Sequence, residues 1–180
     1  MTYETIQSEI LLRGRVFNVR RDQVRLPNGE VVQLNIVEHV GAVTLVPVDE
    51  QGRIWFVRQY RHATRGMLLE LPAGMVEAGE LPEDCAHREI REEIGMAAGQ
   101  LCKIGEYFLA PGYSTEYMQV YLAKDLHPAP LPGDVDEFLS VETIPIKEAF
   151  RLAESGQLRD AKSLACLLLA RPYLLPGSGE

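Results

Sequence analysis

Over the first forty residues, apolar and polar positions fall into short β-rich stretches that read as a β unit. Segments around Glu9–Arg13 and Val16–Leu26 are followed by Pro27-Asn28-Gly29-Glu30 and then by Val31–Val40. An Asn-Gly pair between β-rich runs predicts a hairpin, because both residues tolerate positive φ. Two apolar runs, Ala42–Val48 and Ile54–Val57, are joined by Asp49-Glu50-Gln51-Gly52 and predict a second hairpin entering a buried sheet. Leu68–Leu71 is a short apolar run stopped by Pro72-Ala73-Gly74, a forced turn.

From Pro82 the period changes. Ala86, Ile90 and Ile94 recur every four residues, the core-facing stripe of a helix. Pro82 suits the first helical position, Glu83 and Asp84 suit the first turn, and Gly95 is a natural stop. Strands are expected near Lys103–Leu109, Tyr117–Ala123 and Phe138–Ile144, and helices over Ile146–Ser155 and Ala161–Arg171. Helices interspersed with strands of mixed length predict an α/β or α+β sandwich.

Composition narrows the function classes. The chain has 180 residues, 46% of them hydrophobic and 24% charged, which fits one folded domain, or one domain with a small appendage. Eighteen Lys and Arg against 26 Asp and Glu give a net charge of -8. Such a surface is a poor partner for nucleic acid or an anionic membrane. A phosphate-bearing substrate would therefore need local cations. Cys85, Cys102 and Cys166 are odd in number and lack paired short spacing, so reduced thiols are expected instead of a disulfide framework or a zinc cluster. No apolar run approaches the roughly 18 residues that span a bilayer. The first ten residues show no basic region followed by an apolar run, and the protein reads as cytoplasmic.

The expected helix carries its own anomaly. Glu89, Glu92 and Glu93 cluster beside the apolar stripe, at i, i+3 and i+4, where like charges repel. Glu92 and Glu93 also lie in the last turn, which disfavours anions by roughly 0.3–1 kcal/mol each. Arg88 and Arg91 offset part of this cost. Two readings fit the cluster alone: a solvated acidic face, or a divalent-cation site built of hard carboxylate oxygens.

The spacing around the cluster favours the second reading. Gly74 is followed by Glu80 and then by Arg88-Glu89-Ile90-Arg91-Glu92-Glu93-Ile94-Gly95-Met96. This resembles the Nudix box, G-x5-E-x7-R-E-U-x-E-E-x-G-U with U aliphatic, at every specified position from 74 to 96. The resemblance implies a Nudix α/β/α sandwich with a mixed central sheet over residues 41–180. It implies a small antiparallel β unit over residues 1–40, which relatives use to dimerise and to cover the partner's active site. It also implies that Glu89, Glu93, Glu92 and the carbonyl of Ala73 bind metal, Mg2+ or another divalent cation such as Mn2+. Arg88 would orient the glutamates, and Glu80 would support the loop.

The likeness extends beyond the box. Glu70-Leu71-Pro72-Ala73-Gly74 is similar to the lead-in common among ADP-ribose pyrophosphatases, and Gln59-Tyr60-Arg61 is similar to their Q-(Y/F)-R. Pro111, sixteen residues after Gly95, is the usual mark of that subfamily. Gly133-Asp134-Val135-Asp136-Glu137-Phe138 resembles the acidic loop that supplies a catalytic glutamate, and Asp160-Ala161-Lys162-Ser163 matches a late D-A-K-(T/S) segment. The resemblance implies hydrolysis of ADP-ribose to AMP and ribose 5-phosphate by water attack on phosphorus. Glu137 or Glu92 would accept the proton, with Asp134 and Asp136 competing for that role. Arg61, then Arg58, would meet the diphosphate or terminal ribose, with Glu70 near the substrate and Phe17 stacking on the base. The implied partners are a small nucleoside diphosphate sugar and a second copy of the chain. Another such sugar, GDP-mannose for example, fits the same scaffold. A non-catalytic nucleotide-binding module is a third reading, although such modules typically lack a box glutamate and none is missing here.

Overall fold

The computed structural model describes residues 2–133 and 138–176, which divide into two compact units. The first comprises residues 1–41 and 107–118. Within it, β1 (Glu4–Arg13), β2 (Phe17–Arg25) and β3 (Val31–His39) form an antiparallel sheet in that order. The Asn28-Gly29 hairpin is present. Gly29 has φ 88°, its N–H donates to the Leu26 carbonyl at 2.9 Å, and Arg25 pairs with Val31 beyond the turn. β1 starts five residues earlier than the apolar pattern predicts, because Glu4 pairs with Arg25 and the ladder extends along β2. The segment around Tyr113 is bound to β3 by backbone bonds, Val37 N–H to the Tyr113 carbonyl at 2.7 Å and Thr115 N–H to the Val37 carbonyl at 3.0 Å.

The second unit comprises residues 42–106 and 119–180. Its elements include β4 (Ala42–Pro47), β5 (Arg53–Arg61), β6 (Gly66–Glu70), β7 (Ala73–Met75), α1 (Pro82–Ile94), β10 (Leu139–Pro145), α2 (Ile146–Glu154) and α3 (Ala161–Leu174). β8 (Met96–Phe108) and β9 (Tyr117–Pro128) lie mostly within it. One sheet runs β10-β5-β6 and the other runs β7-β4-β9-β8.

Every residue of β4 is buried, so both of its faces are covered. Val43 and Leu45 share a core cluster with Cys85, Ala86, Ile90 and Ile94 of α1. Residues 42, 44 and 46 point the opposite way by strand alternation, and α3 also packs on β4. Sheet between helices is the layering expected of the sandwich. Thr44 lies on that second face and buries its hydroxyl with no hydrogen-bond partner, an isolated cost in an otherwise apolar strand. Among the described residues, no helix is long and apolar enough to cross a membrane.

Candidate active site

The site is assembled where α1 meets β7. Pro82 opens the helix, and Gly95 closes it in the left-handed region at φ 70°, as the sequence predicts. The apolar stripe is buried against the sheet, which fixes the rotation of α1 and sets Glu89 and Glu93 on its flank. Both carboxylates are only 8% exposed. The Ala73 N–H donates to Glu93 Oε2 at 3.1 Å. A Cβ built on Gly74 would overlap the Glu89 carboxylate. The box glycine thus leaves the space that the Glu89 carboxylate fills, while the Ala73 N–H holds Glu93 one helical turn away.

Arg88 organises the remaining acids. Its Nε and Nη2 donate to the two oxygens of Glu80 at 2.9 and 3.0 Å. Nη1 donates to Glu89 Oε1 at 2.5 Å and to Glu92 Oε2 at 2.9 Å, and Nη2 also reaches the Met75 carbonyl at 3.1 Å. Hydrogen bonding from Arg88 is the largest cause holding Glu80 down at about 2, against an ordinary 4.5, and the Glu77 N–H adds to it. The same carboxylates, Glu80 foremost, raise the pKa of Arg88.

This arrangement yields a stability prediction with a defined pH dependence. Glu80 has a depressed folded pKa, so its contribution is complete above 4.5 and is lost as pH falls towards 2. Arg88→Met should therefore cost about 3 kcal/mol of unfolding free energy near neutral pH. The gap from wild type should narrow in acid. Urea unfolding at about pH 7 and about pH 3 measures it, and a gap of unchanged size would contradict the role given to this ion pair.

The fit of a divalent cation can be judged from the donor set. Glu80, Glu89 and Glu92 share one guanidinium, and Glu93 stands one helical turn from Glu89 with its carboxylate on the Ala73 N–H. Among the described residues, no three His, Cys, Asp or Glu side chains converge as a closed metal cage. Hard oxygens from one or two carboxylates, completed by water and substrate phosphate, are how Mg2+ is commonly held. Glu89 and Glu93 beside the Ala73 backbone fit that pattern.

β5 contributes the cations. Arg61 forms a two-pronged pair with Glu70, Nε to Oε1 at 2.8 Å and Nη2 to Oε2 at 2.7 Å. Glu70 is 1% exposed, whereas the Arg61 side chain keeps 40% of its surface. The hydrogen bonds from Glu70 chiefly raise the Arg61 pKa, and the charge of Glu93 contributes, which places Arg61 within electrostatic reach of the carboxylate site. Arg58, three residues away, lies on the other face of the strand by alternation. There it pairs with Glu142 of β10 at 2.5 and 3.2 Å. The two arginines thus hold different carboxylates, Arg61 that of Glu70 and Arg58 that of Glu142.

In the N-terminal unit, Phe17 is partly exposed and lines a cavity of about 290 Å³ with Arg15, Asn18, Glu38 and His39. Glu137, with Asp134 and Asp136, falls outside the described residues. The chain leading to that segment is tied to the end of α1, with Leu131 N–H on the Arg91 carbonyl at 3.1 Å and Ala129 N–H on the Gly95 carbonyl at 3.0 Å. A Cβ on Gly133 would lie 3.4 Å from the Glu92 carbonyl oxygen. A feature given no role from sequence is the polar cluster at the start of α3. Asp160 caps the helix by accepting from Ser163 N–H at 2.9 Å, and the Asp-x-x-Ser spacing is the signal that marks it.

Comparison with known proteins gives the same outline. Residues 38–166 match the NUDIX domain, and residues 3–33 match the nucleoside diphosphate sugar hydrolase N-terminal domain. An ADP-ribose pyrophosphatase of Mycobacterium tuberculosis is 41% identical over 92% of this chain and 82% of its own length. A Bacillus subtilis protein of the same name is 37% identical over 89% of this chain and 88% of its own. A crystal structure of an ADP compounds hydrolase superposes with a TM-score of 0.87 at 26% identity, covering 97% of this chain and 95% of the other.

Proposed function

The chain belongs to the Nudix domain family, and from that premise we propose that it is a pyrophosphatase that cleaves ADP-ribose to AMP and ribose 5-phosphate. The observation that carries the proposal is the pair of buried carboxylates, Glu89 and Glu93, held one helical turn apart against Ala73 and Gly74. Hydrolases of this family are generally dependent on a divalent metal. We assign Mg2+ to Glu89, Glu93 and the Ala73 carbonyl, with Mn2+ as a substitute. When bound, such an ion supplies positive charge for the diphosphate and lowers the pKa of water.

The chain's own residues do the rest. Arg61 binds a phosphate oxygen through the N–H groups that Glu70 does not use, and Glu70 fixes the plane of the guanidinium. Arg88 holds Glu89 and Glu92 in place. Glu137 accepts the proton as water attacks phosphorus in line, the bridging oxygen leaving with the other product. Glu92 is the weaker candidate for that base, because its carboxylate is already engaged by Arg88 at 2.9 Å. Phe17 is the aromatic ring we assign to stacking on the adenine. The N-terminal β segment, residues 1–40, dimerises the protein. The partly exposed Ile6, Ile10 and Leu12 of β1 offer apolar surface for a second copy to bury.

The test is product analysis. ADP-ribose incubated with the enzyme and Mg2+ should yield AMP and ribose 5-phosphate in equal amounts, and EDTA should stop the reaction. Adenosine or inorganic phosphate as first products, or turnover indifferent to EDTA, would overturn the assignment.

A further inference from the structure

The start of α3 holds two charged groups, Asp160 and Lys162, that the proposed reaction does not itself use. Lys162 Nζ donates to Glu70 Oε2 at 3.2 Å and to Asp160 Oδ1 at 2.9 Å. Asp160 Oδ2 accepts from the Ser163 hydroxyl at 2.7 Å, and that hydroxyl in turn accepts from the Leu71 N–H at 2.7 Å. Asp160 is 8% exposed and Ser163 fully buried. Burial opposes the charged form of Lys162, but Asp160 and Glu70 outweigh it and raise the ammonium pKa. The cluster therefore runs Arg61, Glu70, Lys162, Asp160, with charges that alternate in sign and cancel.

We propose that Lys162 is a positioning residue for phosphate recognition, acting through Glu70 to hold the Arg61 guanidinium at the substrate. The inference rests on the reading that Arg61 meets the substrate's phosphate. Without Lys162, Glu70 and Asp160 would face a single cation, and the cluster would carry a net negative charge within electrostatic reach of Glu93. Arg61 would be drawn into neutralising two carboxylates, and its outer N–H groups would lose the orientation a phosphate needs. The bond from Lys162 also links α3 to the end of β6, so Glu70 is braced from a second element of the fold.

The experiment is a double-mutant cycle between Lys162→Met and Arg61→Gln, with Lys162→Arg as the conservative control. Lys162→Met should raise KM about tenfold while kcat stays within about threefold, because binding is lost more than chemistry. Lys162→Arg should recover most of the loss. In the Arg61→Gln background, Lys162→Met should change KM by less than about twofold. If Lys162→Met does not fold, Lys162→Gln is read in the same way. An unchanged KM accompanied only by a lower Tm, no recovery with arginine, or the same rise in KM without Arg61 would each overturn the proposal. All variants are assayed on whichever diphosphate sugar the wild type cleaves best. A wrong substrate then appears in the wild type alone, and a wrong role for Lys162 appears in the variants.

Discussion

Glu93→Gln is expected to reduce kcat/KM by a factor of about a hundred to a thousand and to weaken Mg2+ binding in parallel. The substitution preserves shape, and its side-chain carbonyl can still accept from the Ala73 N–H that now reaches Glu93 at 3.1 Å. What it removes is one negative charge from a buried acidic pair, along with the oxygen a hard cation prefers. A metal's contribution to a phosphoryl transition state is several kcal/mol, which sets the size of the effect. Stability should move the other way. Glu93 lies in the last turn of α1 among like charges, so neutralising it relieves roughly 0.3–1 kcal/mol of unfavourable dipole interaction. Mg2+ titration, steady-state kinetics and thermal unfolding of the same preparation separate these effects. Unchanged Mg2+ affinity together with unchanged turnover would remove Glu93 from the metal site.

Gly74→Ala should lower turnover by about a hundredfold and cost about 1–3 kcal/mol in stability. The reason is steric: the added methyl would occupy the space of the Glu89 carboxylate, which must swing away or push β7 from α1. Displacing a positioned catalytic group by about 1 Å is enough for a hundredfold loss. Overpacking a filled contact accounts for the stability term. Gly74 has no positive φ, so backbone strain adds nothing. The variant should fold, and activity retained above about half of wild type would mean that Glu89 is not held where the structure puts it.

Both predictions concern residues whose pattern is visible in the sequence, and the physical reasons explain which features are visible. α1 is legible because its ends carry local chemistry, Pro82 at the start and Gly95 at the stop. The Asn28-Gly29 hairpin is legible for the same kind of reason. β7 is three residues long and exists only through its pairing with β4, Thr44 opposite Ala73 and Val43 opposite Gly74, so its own residues announce a turn. β8 begins at Met96, directly after the helix stop and seven residues before the expected strand. Met96-Ala97-Ala98-Gly99 has little β propensity, and the strand is imposed by pairing with β9. α3 runs three residues past Arg171 and accommodates Pro172.

The site divides along similar lines. The spacing of the box glutamates fixes their place on one helix, so their meeting with Gly74 follows from short-range structure. Arg58 and Arg61 stand at odd separation on a strand and therefore on opposite faces, a consequence of alternation that grouping them by charge overlooks. Lys162 stands 92 residues from Glu70, and a pairing at that range leaves no local trace. The helix cap formed by Asp160 and Ser163 does leave one.

The most direct test of the central claim is a comparison of kcat/KM across ADP-ribose, GDP-mannose, UDP-glucose, NADH, a diadenosine polyphosphate and dGTP, each with Mg2+ and with EDTA. The account predicts metal-dependent cleavage with ADP-ribose preferred by about tenfold or more over every other compound, the margin that one or two specific pocket contacts provide. Equal or better turnover of another sugar nucleotide would contradict the substrate assignment while leaving the diphosphate chemistry in place. No turnover of any compound, with Mg2+ bound, would contradict the assignment of an enzyme.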